Sequence, residues 1–408
     1  MFAGAVLRHI HRPGPGLAPL PPGPRDDSET RAALEQLLLE TIIPAWLPVI
    51  DREHGGYRLN QDGRGTSRGP GPRRLVTQSR TLWFFSELAA SPYGRPEHLE
   101  AAQHGFRYLR DVLQDPHAGG FWWEVGPDGT PTSTEKHLCG HAFALYALSA
   151  YARASGDPEA LAMARDLFGR IEAHHDAART GYEESFDASW RPLAPGTVSA
   201  LGPPAGLKTL NTHLHLLEAF AEYARLAADP LAIERTRELE HIVTERLWRG
   251  AGLGCTDHFT PEWEPLTTEA ASRVSYGHDL EAAWLVLDAA AVTGDEEAML
   301  PYAVAMASTA LDIGLDTRRG GVYHSGPLGK RADIRDRTWW VQAETLNATL
   351  ELSLRTGDPR LRDVFSQTLS WITHRQVDAK HGGWHDTVLP DGRTWGPKAG
   401  VWKCPYHE

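Results

Sequence analysis

The stretch DPHAGGF, Asp115 to Phe121, decides the architecture because the chain repeats it. Asp, a short gap, then glycine and a large apolar residue recurs as Asp51…Gly55-Gly56-Tyr57 and Asp176…Gly181-Tyr182. Further copies are Asp316…Gly320-Gly321-Val322 and Asp378…Gly382-Gly383-Trp384, with a degenerate one at Gly250-Ala251-Gly252. Successive copies lie about 61 to 71 residues apart, a period that marks stacked supersecondary units.

A second marker runs out of phase with the first: Gly94-Arg95-Pro96, Gly156-Asp157-Pro158, Ala228-Asp229-Pro230, Gly294-Asp295-Glu296 and Gly357-Asp358-Pro359. Glycine ends a helix, Asp caps the next, and proline suits its first turn. Each unit therefore reads helix, tight turn, helix, Gly-rich loop. One helix set, predicted over 81–90, 141–154, 214–226, 280–293 and 340–354, is apolar and Ala-rich, as inner helices are. The other, such as 96–113 and 158–174, is amphipathic. Pro127-Asp128-Gly129 and Pro390-Asp391-Gly392 predict short hairpins in the loops. Six helix pairs can stack as an open solenoid or close into a ring. The closed all-α (α/α)6 barrel is the expectation, as one catalytic domain over 29–408. Residues 1–28, rich in Pro and Gly, are expected to be a flexible extension.

The 408 residues carry 41 basic and 53 acidic side chains, a net charge of −12. That balance argues against nucleic acid and against anionic substrates. No apolar run long enough for a membrane span is read, and Met1 to Leu7 make a poor signal peptide. Cys139, Cys255 and Cys404 are far apart and odd in number, which predicts reduced thiols in a cytoplasmic protein. No P-loop, GxSxG elbow or GxGxxG loop is present. The oligomeric state is not legible.

Histidines gather at the starts of inner helices: Asn211-Thr212-His213-Leu214-His215, and Tyr276-Gly277-His278-Asp279-Leu280-Glu281. A third group, Trp402-Lys403-Cys404-Pro405-Tyr406-His407, lies at the far end. In a barrel these ends converge on one mouth. His278 and Glu281, three apart on a helix, can pair, with the carboxylate orienting the imidazole. His213 and His215 form an HxH pair that a metal could use, but no HExxH or cysteine pair accompanies it, and no metal or cofactor is expected. Arg80, near the start of another inner helix, could hold an oxyanion. The tryptophans Trp122, Trp123, Trp384, Trp395 and Trp402 fit either sugar faces or plugs in loop packing. The loop 60–74 is basic and Gly-rich, and is either a lid or a surface loop.

Five motifs carry a resemblance: RTLWFFSEL (80–88), NTHLHLLEAF (211–220), SYGHDLEAAWL (275–285), WWVQAE (339–344) and WKCPYH (402–407). Together they resemble the N-acylglucosamine 2-epimerase superfamily, above all its cellobiose 2-epimerase branch. The resemblance implies the (α/α)6 barrel and cofactor-free inversion at C2 of a neutral reducing mono- or disaccharide. It implies His278 and His407 as the two acid/bases and Arg80 as the enediolate donor. Glu281 would tune His278, and His215 and Asn211 would bind sugar oxygens. Trp340, Trp402, Trp384 and Glu344 would contact substrate. The same site would serve an aldose–ketose isomerase. A glycoside hydrolase would need a second acid near Glu281, for which the matched motifs offer no obvious partner. A non-catalytic sugar-binding barrel is the remaining alternative. Cys139 stands where the family often has Tyr. His407 is next to last, so fraying is expected there.

Overall fold

The computed structural model describes residues 20–408, so 1–19 of the expected extension lie outside the described residues. Helix α1 (Asp27–Gln36) continues through a π-helical turn, Leu37–Ile42. Then come α2 (Leu75–Ala90), α3 (Pro96–Tyr108), α4 (Leu138–Ser155), α5 (Pro158–Glu172), α6 (Leu210–Ala227) and α7 (Pro230–His241). α8 (Tyr276–Thr293), α9 (Glu296–Gly314), α10 (Trp339–Thr356) and α11 (Pro359–Trp371) complete the set. Even-numbered helices form the inner ring: α4 packs between α2 and α6, and α8 between α6 and α10. The odd-numbered ones lie outside. Among the described residues the sixth inner place, between α10 and α2, is held at the mouth by an extended strap, residues 398–408, and not by a helix.

Three of the five tight turns behave as read, whereas Asp295 makes no side-chain cap and α2 ends at Ala90, before Gly94. Asp157, Asp229 and Asp358 cap outer helices by accepting from the N–H groups of Glu159, Leu231 and Arg360 at 2.8–2.9 Å. Gly156, Gly294 and Gly357 end inner helices in the left-handed region. Ala228 takes the same place with φ 50°, where a Cβ is crowded.

The repeated loop is a clamp. Its Asp binds the basic residue two positions before the next inner helix or, in the last copy, Lys398 at the start of the strap. Asp51 meets Arg73 at 2.6 Å, Asp115 meets Lys136 at 2.8 Å and Asp176 meets Lys208 at 3.0 Å. Asp316 pairs with Arg337, and Asp378 meets Lys398 at 2.9 Å. Burial opposes ionisation of Asp51, but the N–H groups of His54 and Glu53 and the Arg73 guanidinium hold it below the usual carboxylate range. The fourth residue of each inner helix closes the clamp from the other side. Gln78, His141, His213, Asp279 and Gln342 accept from the N–H groups of Tyr57, Phe121, Tyr182, Cys255 and Val322 at 2.8–3.1 Å.

This geometry corrects the register of the degenerate copy. Arg249 N–H bonds Gly254 O as Asp51 N–H bonds Gly56 O, so the copy is Arg249…Gly254-Cys255. There Arg249 replaces the acid and Val274 replaces the base. Both members of the pair have gone, so neither is left as an uncompensated buried charge.

The predicted hairpins form: Glu124–Val125 pairs with Pro131–Ser133, and Thr387–Val388 with Thr394–Trp395. Two other expectations change. Asp27–Val49 is long and apolar enough by length and composition to cross a membrane. Within the barrel it is the first outer segment, tied by Arg362 to Asp27 at 2.7 Å and by Trp46 Nε1 to Glu408 at 2.8 Å. Residues 20–26 also lie against the barrel. The carbonyls of Pro21 and Pro24 accept from Ser370 and Ser366 at 2.7 Å.

Candidate active site

Each inner helix begins earlier than its apolar run suggested, which puts the polar residues of the motifs inside its first two turns. The sixth residue of each one points to the axis. These residues are Arg80, Phe143, His215, Glu281 and Glu344, and the strap adds Tyr406 and His407 to the same layer. Deeper, Arg153 bonds Glu87 and Glu222, and Arg225 lies 2.8 Å from Asp288, so ion pairs join the inner helices at that end.

Arg80 lies between two rings, its Cζ 4.0 Å from the Phe143 centroid and 4.5 Å from that of Tyr406. Its Nε is buried without a hydrogen-bond partner. His278 and His407 both touch Trp340, with ring centroids at 5.0 Å and 5.5 Å. His407 Nδ1 lies 2.7 Å from Glu344 Oε1, and Trp284 Nε1 donates to Glu344 Oε2 at 2.7 Å. Burial pushes His407 down to about 4, against the opposing pull of Glu344. Burial also lowers His278, while Asp257 raises it.

Against the expected fraying of His407, the strap that carries it has anchoring contacts along its length. Lys398 meets Asp378, Lys403 Nζ donates to Trp384 O at 2.7 Å, and Tyr406 OH donates to Glu218 Oε2 at 2.5 Å. Loop 60–74 is part of this anchoring: Gln61 N–H bonds Ala399 O and Lys398 N–H bonds Asp62 O. That tie favours a strap-retaining loop over a free lid.

Several assignments change. Trp384 is a buried plug, 3% exposed, at the place of Tyr57 and Phe121 in the other copies, and is out of reach as a sugar platform. Glu344 is committed to His407 and Trp284, so it serves the imidazole before any substrate. Glu281 makes no hydrogen bond to His278. It has Glu344 and His407 as neighbours, one ligand atom of each within 4.8 Å of the others. Glu281 therefore does have an acidic partner, and Glu344 and Glu218 beside it add to burial in pushing its carboxyl up, against Arg80. The two carboxyls come from neighbouring inner helices, α8 and α10, and both lie against His407. His213 and His215 diverge. His213 closes the loop clamp, while His215 Nδ1 meets Glu218 Oε1 at 2.8 Å.

The structure brings Arg80, His215, Glu281, Glu344 and His407 into one layer, with His278 and Trp340 beside it. Asn211 is close by, its amide donating to Cys139 Sγ at 3.3 Å. Burial raises the Cys139 thiol to about 12, so it is inert at neutral pH. Trp402 lies under the Arg74 guanidinium, 5.4 Å from Cζ. Sequence reasoning missed Phe143, Glu218, Trp284 and Tyr406. Glu218 was findable, since it follows His215 by three as Glu281 follows His278.

A family model described as N-acylglucosamine 2-epimerase (GlcNAc 2-epimerase) matches residues 55–407. The chain belongs to this family. Relatives of the N-acylglucosamine 2-epimerase family include a cellobiose 2-epimerase from Bacteroides fragilis, 32% identical over 93% of this chain and 97% of that protein. A D-mannose isomerase from Thermobifida fusca is 30% identical over 76% of this chain and 77% of its own length. The solved cellobiose 2-epimerase from Spirochaeta thermophila superposes with a TM-score of 0.84 at 33% identity, over 93% and 94% of the two chains. The family fold is the (α/α)6 barrel, and this chain has it with the strap 398–408 in the sixth inner place among the described residues.

Proposed function

We propose that this protein is a cofactor-independent sugar 2-epimerase acting on the reducing-end aldose of a neutral sugar. The substrate is of the cellobiose or mannobiose type, or is mannose or glucose. The observation that carries this reading is the pair His278 and His407 on one indole, Trp340, with the unpartnered Arg80 Nε in the same site.

The proton at C2 of an open-chain aldose is weakly acidic, so its removal needs a base and a donor for the enediolate oxygen. Arg80 is that donor; one such preorganised contact is worth roughly 3–4 kcal/mol. Inverting C2 requires proton exchange on both faces, which one imidazole cannot reach. His407 and His278 come from different segments, the strap and α8. One enters the step neutral and the other charged. Glu344 supports the charge His407 acquires on taking a proton, and Asp257 favours the proton on His278. The reverse reaction uses the pair in the opposite order. His215 and Asn211 bind sugar oxygens, Trp340 and Trp402 offer faces to the ring, and Glu281 acts on the site through its charge state.

The similarity to a D-mannose isomerase supports one alternative product from the same enediolate. Delivering the proton to C1 instead of C2 gives the ketose, and one base suffices for it. Incubation with cellobiose, mannobiose, mannose and glucose in D₂O, followed by NMR, separates the two. Deuterium at C2 with the inverted epimer establishes epimerisation. A ketose assigns the isomerase. No exchange on any of these sugars overturns both.

A further inference from the structure

Glu218 has no place in the reaction as described, yet it is 1% exposed and both its oxygens are engaged. Tyr406 OH, a single-proton group, donates to Oε2 at 2.5 Å. His215 Nδ1 lies 2.8 Å from Oε1. Nε2 of His215 makes no hydrogen bond among the described residues.

One proton decides what His215 can do. An ionised Glu218 would draw the His215 proton to Nδ1 and leave Nε2 as a bare lone pair. A neutral Glu218 donates to Nδ1 and leaves the proton on Nε2, where it can bind a sugar oxygen. Burial and the nearby acids favour the neutral form. The hydrogen bond from Tyr406 on the strap and the Arg80 cation on α2 oppose it. Cys139 and Tyr146 on α4, Glu281 and Asp288 on α8, and Glu344 on α10 also face the group. Burial dominates and raises Glu218 to about 8, while burial and Arg80 keep His215 uncharged.

We infer that Glu218 is a positioning residue for the epimerase reaction proposed above. As a neutral carboxyl it donates to His215 Nδ1 and so fixes the Nε2–H form, and through Tyr406 it anchors the strap that carries His407. The kinetic part of this inference rests on the epimerase reading; the part about the His215 proton does not.

The substitution E218Q tests it directly. A glutamine can donate its N–H to His215 Nδ1 and accept from Tyr406, which copies the neutral carboxyl permanently. E218A removes both contacts. The first measurement is ¹⁵N NMR of selectively labelled histidines without substrate, with H215N to assign His215. The expected result at pH 7 is the Nε2–H form in wild type and E218Q, and its loss in E218A. An Nδ1–H form in wild type overturns the inference. The second is the pH profile of kcat. E218A should lose about 10- to 100-fold, the scale of a lost orienting contact, and E218Q should recover most of that. Wild-type kcat should fall above about pH 8 as Glu218 ionises, and E218Q should lack that fall. An alkaline limb retained in E218Q, or wild-type kcat in E218A, overturns it; a purely structural role would move only the melting temperature. A wild-type protein with no C2 exchange sinks the epimerase reading, and the NMR result still decides the role of Glu218.

Discussion

Glu344 Oε1 lies 2.7 Å from Nδ1 of His407 and so fixes both the ring and the tautomer of a proposed base. Burial pushes His407 down and Glu344 pushes it up, with a result of about 4. Replacing the carboxylate by an amide removes the upward push. Glu344→Gln should therefore move the acid limb of kcat to lower pH. It should also cut kcat by about 10- to 100-fold through a weaker base. An unmoved acid limb would show that Glu344 does not act through His407.

Trp384 and Trp402 lie eighteen residues apart but belong to different parts of the molecule. Trp384 is buried under its loop, whereas Trp402 is partly exposed. Trp384→Leu should lower stability by about 2–4 kcal/mol, as core truncations do, with KM unchanged. Trp402→Leu should raise KM several-fold with little change in melting temperature. Denaturant titration beside steady-state kinetics checks both.

His141 accepts the Phe121 N–H through Nε2 and is held neutral, pushed by burial to about 3. Its unfolded value is near 6.5, so the unfolded chain binds the proton first as pH falls. Stability is thus lost from about pH 6.5 down to about pH 3. At pH 5 this one group costs about 2 kcal/mol. Gln78 and Gln342 do the same work in sister repeats. His141→Gln should keep the fold and recover about 2 kcal/mol at pH 5 relative to pH 7.5. Equal acid slopes in variant and wild type would refute this account.

The Asp115–Lys136 pair has both side chains almost fully buried. Lys136→Met alone strands a carboxylate and should cost about 3–5 kcal/mol. The fourth repeat, with Arg249 and Val274, shows that losing both partners is tolerated. The double variant Asp115→Asn with Lys136→Met should be clearly more stable than Lys136→Met alone. A double-mutant cycle with no coupling would remove the pair from the account of the fold.

Ala228 holds the left-handed position that glycine holds in three sister turns. Ala228→Gly should stabilise the protein by roughly 0.5–1 kcal/mol, the relief of Cβ strain less the extra freedom of an unfolded glycine. Thermal unfolding reads the difference.

The sequence by itself determined the ring of helix pairs. A loop that repeats its Asp, glycine and apolar plug can be built only where the same local geometry recurs, and the Gly-Asp-Pro turns set each reversal. It also determined the family, through motifs such as WKCPYH and GHDLEA. Other features needed the tertiary structure, because they depend on which residues of distant segments share a layer. Periodicity marks Trp384 and Trp402 alike as aromatic; only packing shows that one is a plug. A single helix pairs His278 with Glu281 by spacing, but the ring sets Glu281 against Glu344 from the next helix instead. Arg249 and Val274 lie far apart in sequence as an unremarked arginine and valine, and their joint departure from the acid–base clamp is visible only where the chain folds back. Local rules act over one or two turns. The roles of His215, Glu218 and Tyr406 arise from one carboxyl shared across 188 residues of chain, a contact that no local rule can contain.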